Sequence, residues 1–193
     1  MNLEEVRKIF NDWAPIYNPT HGWTLPKRHA ARLALELPPG DRVLDVACGT
    51  GLNLPHLREL VGEQGQVVGI DLSPRMLDIA RRLIATRGWK NVEAREADAA
   101  QLPFPDESFD KVICSFALNI IPDYVRAIGE AKRVLVPGGR FVSLEIHLGL
   151  HSLAHICAVD MSHDTLGGLR AVFGDVQVCH HWLGMISIAT ATK

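Results

Sequence analysis

The stretch VLDVACGTGLNL, residues 43–54, constrains the fold more than any other part of the chain. An apolar run halts at a glycine-punctuated loop, and apolar spacing of helical period then resumes. A strand that hands over to a helix across a ligand site has this pattern. Gly49 and Gly51 leave bare backbone for a ligand to approach, and the N-terminus of the following helix offers free N–H donors. Asp71 ends the next apolar run, twenty residues after Gly51, close to the ~20-residue offset of an acid that meets ribose hydroxyls. That spacing suits a dinucleotide or a nucleoside alike. Two details favour the nucleoside. Leu54 stands where the third glycine of G-x-G-x-x-G belongs, and no Lys or Arg lies between Val43 and His56 to meet a pyrophosphate. Asp45, in the approach to the loop, suits a ligand with an ammonium and a sulfonium.

The rest of the chain alternates strand and helix patterns. Val6, Ile9, Phe10 and Trp13 predict an opening amphipathic helix capped at Asn2, broken by Pro15, Asn18, Pro19 and Gly22. A second helix from about Thr24 carries Ala30, Leu33, Ala34 and Leu37 on its apolar face and stops at Pro38-Pro39-Gly40. Then follow strand RVLDVA, helix LPHLRELV, strand QVVGID, helix SPRMLDIARRLIATRG, strands VEAREAD and KVICSF, helix PDYVRAIGEAKRVL closed by Pro137-Gly138-Gly139, and strand RFVSLEI. The region from Leu148 to Gly174 reads as helical in part. DVQVCHHWL and ISIATAT close the chain as an antiparallel hairpin. Apolar strands between helices belong to a parallel sheet covered on both faces. The fold class is α/β, a doubly wound, mostly parallel seven-stranded sheet with an antiparallel C-terminal hairpin. One domain of 193 residues contains it: a helical lid (1–40), a core (41–146), and a cover with closing strands (147–193).

Composition narrows the partners. The net charge of −2 leaves no electrostatic basis for a nucleic-acid partner. No 18-residue apolar run is present, so a transmembrane segment is not expected. The acids of MNLEEVRKIF do not suit a secretory signal. Cys48, Cys114, Cys157 and Cys179 are widely spaced without a C-x-x-C pair, which reads as reduced thiols of a cytoplasmic protein.

In combination, D-x-A-x-G-x-G, VVGIDLS, ADAAQLPF, FDKVICSF and RVLVPGGRF resemble the class I S-adenosylmethionine-dependent methyltransferases, over roughly residues 42–146. The resemblance implies a Rossmann-like methyltransferase fold with S-adenosylmethionine as cofactor. Backbone at Ala47, Gly49 and Gly51 would flank the methionine part, with Asp45 near its amino group. Asp71 would take the ribose hydroxyls and Leu72 pack on the adenine. Asp98 would accept from the adenine amino group with Ala99 beside it, and Ser115 would line the methyl-transfer mouth. Tyr17 matches a tyrosine that many relatives carry in this N-terminal stretch. Ala47 departs from the pattern, standing where the family more often has glycine.

Within the class, VGEQGQVVGIDLSPRMLDIARR, LPFPDESFDKVICSF and RVLVPGGRFVSLE are similar to the ubiquinone/menaquinone C-methyltransferase (type 11) group. Asn119 stands where that group typically carries arginine, and the segment after Ile146 is shorter. WAPIY and GTGLNLPHL resemble phospholipid N-methyltransferases instead. The expected acceptor is a small or lipid-like molecule. Trp13, Tyr17, Trp23 and Leu25 near Lys27, Arg28 and Arg32 suggest a lid, with peripheral membrane contact as the alternative. His147, His151 and His155, spaced by four after the fifth strand, share one helical face, read first as the polar face of a cover helix; if a base is needed His147 and His151 are the candidates, and no metal site is expected. An NAD-dependent oxidoreductase and a non-catalytic binding module are the readings from other classes. Oligomeric state is not legible.

Overall fold

The computed structural model describes residues 1–146 and 163–193. Seven strands form one sheet: β1 (Arg42–Val46), β2 (Gln66–Asp71), β3 (Val92–Glu96), β4 (Phe109–Ser115), β5 (Leu135–Ile146), β6 (Val176–His181) and β7 (Ile186–Thr192). Their order is β3-β2-β1-β4-β5-β7-β6. The first five are parallel neighbours, and β7 runs antiparallel to both β5 and β6. The order reverses between β1 and β4, so a crevice opens beyond their carboxyl ends.

The helices are α1 (Leu3–His21), α2 (Leu25–Ala34), α3 (Leu54–Val61), α4 (Pro74–Arg87), α5 (Tyr124–Val134) and α6 (Thr165–Phe173). Side chains alternate across the pleat into two apolar layers. Val43, Ile113, Val142 and Leu144 face one way with Ala31, Leu54, Leu57 and Leu77 from α2, α3 and α4. Leu44, Val46, Val112 and Phe141 face the other way with Ile128, Ala131 and Leu169 from α5 and α6. Caps follow the sequence: Asn2 and Glu5 close a capping box on α1, and the Ser73 hydroxyl accepts from the Met76 amide at 3.2 Å to start α4.

Three sequence expectations are corrected. α1 does not break at Pro15 and Pro19; it runs through both to His21. Near its end the Thr20 hydroxyl donates to Ile16 O at 2.8 Å and the His21 ring lies 3.0 Å from Tyr17 O, extra ties across the turn that holds Pro19. The inward face of α2 is not that of Leu33, which is 59% exposed; Arg28, Ala31, Arg32 and Leu35 are buried. Finally, Pro137-Gly138-Gly139 does not end α5 but lies inside the long strand β5 as a bulge. Phe109 pairs with Leu135 and Lys111 already with Arg140. Gly138, at φ +77°, donates to Lys193 O, and Lys193 N returns to Gly139 O, so the chain end clips the bulge.

Candidate active site

Beyond the ends of β1, β2 and β4 lies a cleft of about 720 Å³, counting its open mouth. Of the residues singled out in the sequence, Tyr17, Ala47, Gly49, Asp71, Leu72, Asp98, Ala99 and Ser115 line it. Asp45 and Gly51 do not; they lie behind the lining. His147 and His151, with His155 and Cys157, fall outside the described residues.

The loop after β1 gets its shape from left-handed backbone at three positions, which glycine adopts most readily. Ala47 has φ +54°, Gly49 +57° and Gly51 +84°. The alanine in the position usually given to glycine therefore sits in the left-handed region, a strain of about 1–2 kcal/mol. A Cβ on Gly49 would approach nothing nearer than Tyr17 Cε1 at 3.9 Å, whereas one on Gly51 would lie 2.8 Å from Leu54 Cδ1. Gly49 thus leaves room toward the cleft, and Gly51 is a packing glycine.

Asp71 closes the loop from the other side. Its two oxygens accept from the Gly49 and Ser73 amides, both at 2.8 Å. Burial pushes its carboxyl up, and the amide donors, Ser73 and Gly49 first, pull it back. Asp98 accepts from the Ala100 amide at 2.9 Å through Oδ1. Apolar walls come from Val6, Phe10, Ile70, Met76, Ile120 and Ile121.

α1 lines one side of the cleft through Leu3, Val6, Arg7, Phe10 and Tyr17, and polar contacts hold it there. Arg7 donates to Leu72 O and pairs with Glu96. Asn11 Oδ1 accepts from the Ser73 hydroxyl at 2.8 Å and the Arg75 amide at 3.2 Å. The Thr50 hydroxyl donates to Asn18. Tyr17 reaches the loop, stacked on His21 with centroids 4.0 Å apart.

Behind the cleft floor is a buried polar cluster. Asp45 is fully buried; Oδ1 accepts from Asn53 Nδ2 at 3.1 Å, and Oδ2 has no partner among the described residues. Asn53 Nδ2 also lies 3.3 Å from the Ser115 hydroxyl at the floor. Arg28, 4% exposed, donates to Thr24 and Asn53 and packs 5.2 Å from the Phe116 ring. Burial raises the Asp45 carboxyl to about 7, with Asn53 and the arginines opposing. On the other face of the sheet Glu145 is buried and pushed to about 8, again by burial first. Asn119 donates to it at 3.1 Å. Sequence reasoning missed Arg28, Asn53 and Glu145 as site neighbours. Arg28 was hidden by the misassigned face of α2; the only signal was a basic residue every four positions, at 28 and 32.

These two carboxyls set a pH dependence. Each folded-state value lies above the ordinary 3.8 or 4.5, so the folded chain holds protons that the unfolded chain has released. Stability is therefore fullest below pH 4 for these groups and falls as pH rises through about 7 and 8. The ligand-free protein is expected to melt higher at pH 5.5 than at pH 8.5, and Asp45→Asn combined with Glu145→Gln should flatten that slope. Thermal scans across pH check it.

A family model described as "Methyltransferase domain" matches residues 37–177. The demethylmenaquinone methyltransferase of Bacillus cereus (strain ATCC 10987 / NRS 248) is 36% identical over 147 residues, 74% of this chain and 62% of that protein. The chain thus matches less than two thirds of that relative's length. A S-adenosylmethionine-dependent methyltransferase structure from Aquifex aeolicus superposes with a TM-score of 0.72 at 20% identity, covering 100% of this chain and 98% of that one, a likeness of fold. An arsenic(III) S-adenosylmethionine methyltransferase from Chlamydomonas reinhardtii superposes with a TM-score of 0.64 at 27% identity, covering 81% of this chain and 63% of that one.

Proposed function

The chain belongs to the class I S-adenosylmethionine-dependent methyltransferases, and we propose that it moves the cofactor's methyl group onto a small, quinol-like acceptor. One observation carries the cofactor half: two acidic side chains, the buried Asp45 and the cleft-lining Asp71, flank a glycine loop that has no cationic side chain of its own. A pyrophosphate there would be repelled, while a ribose and an ammonium are matched. The orphaned Asp45 Oδ2 fits the ammonium, the Gly49 cradle accepts the chain beside it, and Arg28 near Tyr17 fits the carboxylate. Asp71 would hold the ribose hydroxyls and Asp98 Oδ2 the adenine amino group.

When bound, the cofactor supplies an electrophilic sulfonium methyl. The chain's own task is to exclude water and hold the acceptor in line. α1 and the Ile120–Ile121 wall provide the dry cover, and Ser115 with Phe116 provides the floor on the acceptor side. His147 and His151 remain the candidates for taking a proton from the acceptor.

The quinol-like acceptor is supported by the Bacillus cereus relative's name and by the cleft's apolar lining. A thiophilic acceptor is not favoured. Among the described cysteines, Cys48 and Cys114 are buried in opposite core layers and Cys179 is exposed. The test is incubation with S-adenosylmethionine and a prenylated naphthohydroquinone under reducing conditions, with mass analysis of the quinol. One added methyl group is expected. Methylation of phosphatidylethanolamine but not of the quinol would transfer the acceptor to the phospholipid class.

A further inference from the structure

We propose that Arg32 on α2 is an anion-binding residue for the methyl acceptor, so that the acceptor carries an oxyanion, either an ionised ring hydroxyl or a carboxylate. The proposal rests on the methyltransferase reading above.

Arg32 is 2% exposed, and its Nε and Nη1 have no hydrogen-bond partner among the described residues. A buried guanidinium left in that state is costly, and it is kept where something else completes it. Its charged neighbours are Arg28 and Asp45, with His56 also within electrostatic reach. Burial, with Arg28 adding like-charge repulsion, lowers the Arg32 guanidinium to about 10. Two cations therefore share one carboxylate.

The cofactor does not resolve this imbalance. Its methionine end is a zwitterion, so an ammonium on Asp45 brings a carboxylate, and Arg28 is the cation that touches the cleft lining, at Tyr17 and Phe116. The pair cancels, and Arg32 is still without a counter-ion. Cofactor binding removes the one carboxylate that Arg32 shared. The site then needs one more negative charge, and the acceptor is the remaining component. α2 packs against β5, in the apolar layer that holds Leu144 and against which Ile146 and the cleft-lining Phe116 also pack. An oxyanion there would lie beside the ends of β4 and β5.

The experiment measures binding to the full chain by calorimetry, with and without saturating S-adenosylhomocysteine. The probes are 2-naphthoate, reduced 1,4-naphthohydroquinone, and the neutral 2-naphthamide. On the S-adenosylhomocysteine-loaded wild type, one anionic probe is expected to bind at least tenfold tighter than the amide. Its identity separates a carboxylate-bearing from a hydroquinone acceptor. Arg32→Met should erase that preference while S-adenosylhomocysteine binding stays within threefold, and Arg32→Lys should restore part of it. The melting temperature of ligand-free Arg32→Met should not fall, because an uncompensated buried cation has been removed. The proposal is overturned by equal binding of the three probes, by a preference that survives Arg32→Met, by loss of S-adenosylhomocysteine binding in that variant, or by a marked drop in its ligand-free melting temperature. Failure of the wild type to bind S-adenosylhomocysteine at all would instead overturn the methyltransferase reading.

Discussion

Asp71→Ala is expected to raise the dissociation constant for S-adenosylhomocysteine at least a hundredfold. The carboxylate lines the cleft and is the only acid at the end of β2. It does two jobs. Its oxygens fix the Gly49 and Ser73 amides, which sets the loop and the start of α4, and on the proposed function its remaining lone pairs would take the ribose hydroxyls. A hydrogen bond to a charged group contributes about 1.5–3 kcal/mol, and losing two of them to ligand corresponds to roughly a hundredfold or more in affinity. Asp71→Asn separates the jobs: its one carbonyl oxygen can still accept an amide, but its NH2 faces the second amide donor. It should bind better than the alanine variant and far worse than wild type. Calorimetry reads both. Affinity within fivefold of wild type in Asp71→Ala would remove the acid from the ribose site.

Leu54→Gly is expected to cost about 3–6 kcal/mol of stability without creating NAD binding. The substitution recreates the third glycine of the dinucleotide pattern. Yet Leu54 is fully buried, with its methyls packed where a Cβ on Gly51 or Gly69 would stand. Truncating a buried leucine to alanine costs about 2–5 kcal/mol, and glycine adds up to about 1 kcal/mol in a helix. A denaturant titration gives the loss; a change below 1 kcal/mol, or a gain of NAD affinity, would contradict this packing.

How much of this was legible beforehand differs by element. The glycine loop, Asp71, Asp98 and the helix α4 with its Ser73 cap were readable because each rests on local rules: backbone conformation, strand ends and capping chemistry. The central strands β1, β2 and β4 were readable from near-continuous apolar runs, whereas β3 and β6 carry mixed sequences and were placed by the alternation around them. α2 was not. An apolar-face rule favours Leu33 over Arg28 and Arg32, and it fails when a helix buries charge toward a site, because the compensation comes from Asp45 and Asn53 on other elements. The continuous α1 was hidden similarly, since Pro15 and Pro19 are local breakers that the contacts of Arg7, Asn11 and Asn18 with the cleft rim outweigh. Pro137-Gly138-Gly139 read as a stop because its strand partner is the chain terminus, fifty-odd residues away.

The most direct test of the central claim is calorimetric titration of the wild-type chain with S-adenosylhomocysteine, with NAD in a parallel cell. Micromolar binding of S-adenosylhomocysteine, none of NAD, and loss of the first signal in Asp71→Ala is the result expected. Tight NAD binding, or binding of neither, would contradict the assignment of the cleft.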